Sequence, residues 1–205
     1  MTTDAHPAIS LSEATDGRLA RSARTRLAIV DAMRALNHAG DLRPTAARVA
    51  ERAGVSLRTV WQHFDDFESL LLEAGQRDFE IVMRHVTPID PSLPLEDRID
   101  ALIEQRARTF ADLAPVWRAA RLQEPFSVEI RRSRDRLVRA ARDQLQRVFA
   151  TELARLPDVD HVRTLDALTL VTNWSAWEAT RTELGLSPEQ AAATIRVLLR
   201  ELLAA

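Results

Sequence analysis

The sequence predicts an all-α protein with a small N-terminal domain, a larger C-terminal helical bundle and about nine helices in all. Three observations predict this fold. Apolar residues recur every three or four positions, as on one face of a helix, and the strict alternation of a strand is absent. Only five residues are glycine. Prolines mark the joints between the periodic segments, because a residue without an N–H group does not continue a helix.

Composition narrows the class of protein. A chain of 205 residues, 46% hydrophobic and 28% charged, can bury a substantial core. It has neither an apolar run long enough to span a bilayer nor a charged and then apolar signal segment at its start. We therefore expect a cytoplasmic protein with no membrane partner. The absence of cysteine excludes disulfides and thiolate metal sites.

The N-terminal region begins with a segment that lacks periodicity. Residues 1–20 mix small and polar types, which predicts a flexible arm. A basic amphipathic helix is then expected over about residues 22–39, with Ile29, Met33 and Leu36 on one face. We assign residues 21–86 to the first domain, including a linking helix at its end.

The most informative stretch is residues 45–64, which predicts two short helices joined by a tight turn. Gly54 permits the positive φ of a sharp turn, and Ser56 is a good N-cap for the second helix. Ala50, Gly54 and Val60 have the spacing of a helix-turn-helix, in which the second helix lies in the DNA major groove. The alternative is an ordinary helical hairpin.

The charge is unevenly distributed. The net charge of the chain is only −2, which by itself argues against a generic nucleic-acid binder. Nine arginines and three acidic residues lie between residues 18 and 64, so this stretch carries +6 and the remainder −8. A basic head on an acidic body is the asymmetry expected when one end of a protein approaches phosphate.

Residues 21–72, including the Trp-Gln-His-Phe run at 61–64, resemble the N-terminal domain of the TetR family of bacterial transcriptional regulators. There are two departures. Trp61 stands where the family usually has Tyr, and Phe67 where it usually has Lys; both usual residues commonly help to hold DNA phosphates. A weaker resemblance covers residues 177–191, which are similar to the end of the family's penultimate helix and the start of its last, where two subunits form a four-helix bundle.

The resemblance implies a ligand-responsive, sequence-specific homodimeric regulator, most often a repressor that releases a palindromic operator when a small molecule binds the C-terminal domain. Arg58 should face base edges, because a guanidinium can bridge O6 and N7 of guanine, and Leu57 could contact a thymine methyl. We expect Val60 and Phe64 to be core residues. The candidate DNA-binding residues are Thr45, Arg48, Ser56, Leu57, Arg58, Thr59, Trp61, Gln62 and His63. For Trp61 and His63 the alternative is burial against the first helix.

A segment with three prolines, residues 88–94, predicts the linker between the domains, and we assign residues 87–205 to the C-terminal domain. Its helices are expected over about residues 96–113, a short piece after Pro115, 127–156, 160–184 and 189–203.

Two sets of C-terminal residues are candidates for binding. The dimer interface is predicted at small and apolar residues of the last two helices: Thr172, Ser175, Ala176, Ala179, Ile195, Leu198, Leu199 and Leu202. The alternative is that these residues of both helices face the protomer's own core. The ligand pocket is predicted at bulky and polar residues of the middle helices: Arg106, Phe110, Trp117, Arg121, Leu122, Phe126, Phe149 and Asn173. For each aromatic side chain the alternative is plain core packing.

Signatures of catalysis are missing, including glycine-rich phosphate loops and nucleophile elbows. None of the five histidines (His6, His38, His63, His85 and His161) has a His or Cys partner at metal-ligand spacing. We therefore expect no catalytic residues, metal or cofactor. Two other readings stay open. One is a helical protein-interaction module whose helix-turn-helix is only structural, favoured by Trp61 and Phe67. The other is an all-α enzyme with a site assembled in three dimensions.

Overall fold

A computed structural model describes residues 11–84 and 86–204. Over these residues the chain forms ten α-helices and one short 3-10 helix, without a strand. The predicted all-α fold is thus confirmed. None of the described helices is both long and apolar enough to cross a membrane. The helices form two compact units that divide between Arg77 and Asp78, within a helix, whereas the sequence placed the boundary after residue 86.

The first unit contains the N-terminal helices and most of the fourth. The four helices are α1 (Leu11–His38), α2 (Ala46–Ala53), α3 (Leu57–His63) and α4 (Phe67–Met83). Because α1 begins at Leu11, the predicted arm is helical over residues 11–20, and residues 1–10 lie outside the described part of the chain.

Apolar side chains from all four helices form the core of the first unit. They include the predicted Ile29, Met33 and Leu36 of α1 together with Val49 of α2 and Val60 of α3, all of them buried. The core also confirms Phe64 as a buried residue. Of the polar residues between these positions, Asn37 is fully buried with the core, whereas Arg43, Arg48, Arg52 and Arg58 are exposed.

The second unit is a bundle of six further helices. They are α5 (Leu95–Gln123), α6 (Val128–Val148), α7 (Ala150–Leu153), α8 (Asp158–Val171), α9 (Trp174–Thr182) and α10 (Pro188–Leu203), with the 3-10 helix Glu124–Phe126 between α5 and α6. Their apolar faces share one core, which includes Leu102, Phe149, Leu168 and Leu199.

Pro115 does not begin a new helix, as the sequence analysis expected, but lies inside α5. Leu113 and Val116 are buried on either side of it, so the apolar face of α5 is continuous through the proline. The carbonyl that loses its partner belongs to Ala111, an exposed residue that water can reach. Packing on one side and hydration on the other together allow the helix to continue.

Two predicted long helices are each divided. The helix expected at 127–156 breaks at Phe149, whose φ of −111° and ψ of 25° are not helical and whose ring is fully buried. The helix expected at 160–184 breaks at Thr172 and Asn173. The Asn173 side chain accepts a hydrogen bond from the Ala176 N–H at 2.9 Å, so it caps α9 as a separate helix.

A buried ion pair fastens α5 to α7. Arg98 donates from Nη2 to Glu152 Oε1 at 2.7 Å and from Nη1 to Glu152 Oε2 at 2.8 Å. Both side chains are more than nine-tenths buried. Arg98 also donates to the carbonyl oxygens of Val148 and Leu93. The Arg98 guanidinium holds the pKa of Glu152 below its usual range, chiefly through these hydrogen bonds.

Candidate nucleic-acid interface

Helices α2 and α3 form the predicted helix-turn-helix. Gly54 ends α2 with φ 67° and ψ 32°, in the left-handed region that favours glycine. Its N–H donates to Glu51 O, and the next N–H, of Val55, donates to Ala50 O, which is the pattern of a Schellman motif. Ser56 then caps α3 by accepting the Thr59 N–H at 3.0 Å. The turn therefore has only three residues, and both helix ends are satisfied.

The second helix of the motif has one buried and one exposed face. Val60 lies in the core, whereas Leu57 and Trp61 remain 44% and 43% exposed. Arg58 and Gln62 are also exposed, and Arg58 forms no ion pair with a described residue. The alternative of a Trp61 buried against α1 is wrong. The outward face of α3 thus presents an arginine, an amide and two apolar side chains.

The other predicted DNA-binding residues lie at the helix starts or close to the motif. Thr45 is exposed and caps α2 through the Arg48 N–H. Ser56 and Thr59 share a hydrogen bond of 2.8 Å between their hydroxyl oxygens. His63 is half-buried at the end of α3. Together with the exposed face of α3, these groups lie in one short segment of chain.

Arg48 has an intramolecular partner. Its Nη1 lies 2.6 Å from Asp41 Oδ2, and the arginine side chain is still more than half exposed. The Asp41 side chain is only 19% exposed, so the pair is partly shielded from water and is not an ordinary surface ion pair. A DNA phosphate would therefore have to compete with a partly buried carboxylate for this arginine.

Arg26 of α1 holds the C-terminal end of α3 in place. It donates from Nε to both carboxylate oxygens of Glu73 at 3.1 Å and from Nη1 to the carbonyl oxygen of His63. Its guanidinium carbon also lies 4.1 Å from the centroid of the Phe64 ring. Sequence reasoning counted this arginine only among the basic charges, because its partners are 37 or more residues away along the chain.

The second unit contains a small cavity of about 10 Å³, which is about the space of one water molecule. Of the eight predicted ligand residues, only Arg106 and Phe110 line it. The others have different surroundings: Trp117 packs on Phe110 with ring centroids 5.6 Å apart, Asn173 caps α9, Phe149 is core, and Arg121, Leu122 and Phe126 are exposed.

Sequence reasoning missed most of the lining. Besides the two residues it identified, the cavity is lined by Leu102, Ile103, Thr172, Trp177 and Ile195. A signal was present on α5, where residues 102, 103, 106 and 110 share one helical face and place a single arginine among apolar residues. Thr172 and the lining residues of α9 and α10 carried no comparable signal, because their place at the cavity depends on packing against a helix that is distant in sequence.

The predicted dimer residues differ in their exposure. Thr172, Ile195 and Leu199 are buried in the protomer's own core, so these three assignments are wrong and the alternative of core packing applies to them. Leu198 is 43% exposed and Ser175 is exposed. Ala176, Ala179 and Leu202 are partly exposed. The surface of α9 and α10 that is free to contact a partner is therefore smaller than the apolar periodicity of the sequence suggested.

No group of three or more His, Asp or Glu side chains within residues 11–84 and 86–204 is placed to hold a metal ion.

Solved structures with the same architecture show what this arrangement is similar to. A transcriptional regulator from Rhodococcus sp. Rha1 superposes with a TM-score of 0.65 at 17% identity, over 89% of this chain and 96% of that one. A TetR transcription regulator from Haloarcula marismortui ATCC 43049 gives 0.63 at 20% identity, over 89% and 97%. A TetR-like regulator from Rhodococcus sp. RHA1 gives 0.57 at 17% identity, over 88% and 96%.

No protein-family model and no curated relative matches the chain. The similarity is therefore one of fold. Together with the helix-turn-helix geometry, it defines the class: the chain has the TetR-type fold, as its N-terminal sequence suggested.

Proposed function

We propose that this protein is a DNA-binding transcriptional regulator that acts without catalysis. The observation that carries the proposal is the exposed face of α3. On this face Arg58 forms no ion pair with a described residue and lies between Leu57 and Trp61, while Val60 anchors the helix in the core. The surrounding stretch carries a charge of +6. A helix of this kind fits the major groove, where an arginine discriminates guanine by about 1–3 kcal/mol.

The proposal includes a homodimer, because one short recognition helix contacts few base pairs. Two-fold dimers read two half-sites about one helical turn apart, so the operator should be palindromic. The exposed apolar side chains of α10, Val197 and Leu198, support a partner surface there. Ser175 and Ala176 of α9 are small and at least partly exposed, which lets helices approach closely.

The proposal also includes a small-molecule effector that binds the second unit and releases the operator, which makes the regulator a repressor. Such a ligand acts only through a difference in affinity between two conformations, since equal affinity for both shifts nothing. Arg106 and Phe110, at the cavity, are the predicted ligand residues that support this part of the proposal.

The test is a selection from randomised DNA duplexes with the purified protein, read out by sequencing. A regulator of this class enriches a palindrome. Arg58→Ala should relax the preference at one position of each half-site. Arg48→Ala should weaken binding to all sequences alike and reduce the slope of log affinity against log salt by about 1.

An unchanged selection with Arg58→Ala would show that this side chain does not read a base. Enrichment of no sequence by a protein that size-exclusion chromatography shows to be an intact dimer, together with weak and salt-insensitive DNA binding, would instead favour a protein-interaction module. The exposure of Trp61 and Leu57 is the observation that favours this second candidate, because apolar side chains on a surface can equally pack against a protein partner.

A further inference from the structure

Arg106 is a mostly buried cation that has no carboxylate partner among the described residues. Its Nη2 donates to Gln144 Oε1 at 2.9 Å, whereas its Nε is buried and has no hydrogen-bond partner among the described residues. Gln144 in turn donates to Gln105 Oε1 at 2.7 Å, so its own oxygen is held toward the guanidinium. Burial lowers the pKa of Arg106 to about 10, and the group therefore remains charged at neutral pH.

A second buried arginine of the same helix, Arg98, has a full set of hydrogen-bond partners and provides a comparison. Arg98, two turns before Arg106 on α5, forms two hydrogen bonds with the carboxylate of Glu152 and two more with backbone carbonyls. Among the described residues, Arg106 has only the neutral Gln144 oxygen as a hydrogen-bond acceptor. Because removing a charge from water without an opposite charge is costly, an anion that bound beside Arg106 would be stabilised.

The surroundings of Arg106 indicate what kind of anion fits. The cavity lining is otherwise apolar except for Thr172, and Phe110 and Trp177 form part of its wall with their ring centroids 5.8 Å apart. Trp117 and Trp174 extend this aromatic cluster, at 5.2 Å from each other. A single guanidinium neutralises one negative charge, and the aromatic wall favours an apolar body.

We propose that the effector is a monocarboxylate with an aromatic or alkyl body, whose carboxylate pairs with Arg106 and whose body lies against Phe110 and Trp177. The inference rests on the proposed function, because it assigns a chemical class to the effector of that regulator. A phosphate ester fits less well, since the lining offers no second cation for its second charge.

The site must open to admit such a ligand, because a cavity of about 10 Å³ is far below the roughly 300 Å³ or more of small-molecule pockets. An outward swing of α9 would open the site. Trp177 is the only buried residue of this helix, and the two residues Thr172 and Asn173 separate it from α8. The swing would leave the helical hydrogen bonds of α8 intact, but it must break the ion pair between Arg118 of α5 and Glu178 of α9.

The experiment titrates the purified full chain with four probe acids, phenylacetate, 3-phenylpropionate, indole-3-acetate and octanoate, each beside its primary amide. Tryptophan fluorescence reports binding, because Trp177 lines the site and Trp117 and Trp174 pack against Phe110 of its wall. The shift in melting temperature is an independent readout. We expect at least one acid to bind ten times or more tightly than its amide. Equal binding of acid and amide in every pair, or binding of no acid, would overturn the inference without any variant.

The variant Arg106→Gln tests whether the preference for the acid over its amide depends on this guanidinium. It should reduce the acid-to-amide preference to about one. It should not lower the stability of the unliganded protein, because it removes a mostly buried charge that pairs with no described carboxylate. Arg108→Gln is the matched control, since it removes an exposed arginine of the same helix, and it should leave the preference unchanged. A preference that survives Arg106→Gln would show that the carboxylate binds elsewhere.

Failure of this inference is distinguishable from failure of the proposed function. The duplex selection uses no ligand, so a recovered operator without acid binding would reject the monocarboxylate alone. If the protein binds an acid but enriches no DNA sequence, the proposed regulatory function is rejected and the proposed carboxylate site is retained.

Discussion

Replacement of Arg26 by Met tests whether the recognition helix is held in place by a charge that does not itself touch DNA. The guanidinium contacts α3 through His63 O, α4 through Glu73 and the ring of Phe64. Methionine keeps an unbranched apolar side chain but loses all three polar interactions. We therefore expect a less stable first unit and a less well positioned α3.

The magnitude follows from the three interactions. A hydrogen bond from a charged group to a carbonyl contributes about 1.5–3 kcal/mol. The pair with Glu73 contributes only about 0–1 kcal/mol, because both side chains are about 40% exposed. The cation–π contact contributes about 0.5–1 kcal/mol. Because such contributions overlap, we expect Arg26→Met to lower the free energy of unfolding by about 2–3 kcal/mol.

The stability assay is urea unfolding followed by circular dichroism, with Arg24→Met as the control. Arg24 is an exposed arginine of the same helix, so its loss should change stability by no more than about 0.5 kcal/mol. Glu73→Gln, which keeps the arginine and its other contacts, should cost less than Arg26→Met.

DNA affinity at several salt concentrations separates positioning from phosphate contact. Arg26→Met should weaken binding at all salt concentrations with an unchanged slope, whereas loss of a phosphate contact reduces the slope by about 1. A reduced slope with unchanged stability would refute the reasoning, because Arg26 would then act on DNA directly.

Two further predictions concern the second unit. Arg98→Ala should destabilise the protein by about 3–5 kcal/mol, because it leaves Glu152 as an unpaired buried charge, and combining Arg98→Met with Glu152→Leu should recover most of that loss in urea unfolding. The pKa of Glu152 is lowered in the folded state, so the stability that this carboxylate contributes is fully present above its unfolded-state pKa and is lost as the pH falls through its folded-state pKa. The double variant should therefore lose less stability in acid than the parent protein. Identical pH profiles of stability for the two proteins would contradict this assignment. Leu198→Glu should shift the protein from dimer to monomer in size-exclusion chromatography, because it places a charge in the proposed apolar interface. Leu122→Glu changes a similarly exposed leucine and should leave the dimer intact. A dimer that persists with Leu198→Glu would place the interface elsewhere.

The helix-turn-helix was predictable because its determinants are local. The caps at Thr45 and Ser56, the left-handed turn at Gly54 and the apolar anchor at Val60 all lie within 16 residues of chain. Each is a preference of one residue for one backbone conformation or for burial. Such preferences act over three or four residues, so sequence spacing alone describes them.

The helix boundaries of the second unit were predicted less well, because packing overrides local preference there. Pro115 would usually end a helix, but burial of Leu113 and Val116 carries α5 through it. Periodicity continued through Phe149 and Thr172 and so suggested uninterrupted helices. The breaks follow from where the core places those side chains, which sequence spacing does not report.

The sequence by itself determined the all-α class, the position of the helix-turn-helix and the basic character of the first unit, because all three depend on residue type and short-range spacing. Only the tertiary structure decided which apolar stripe is core and which is surface: Ile195 and Leu199 are buried, while Leu198 between them is exposed. It also decided that Glu152 pairs with Arg98, whereas no described carboxylate pairs with Arg106. Such pairings join residues dozens of positions apart, and their energies depend on distance and burial in the folded chain.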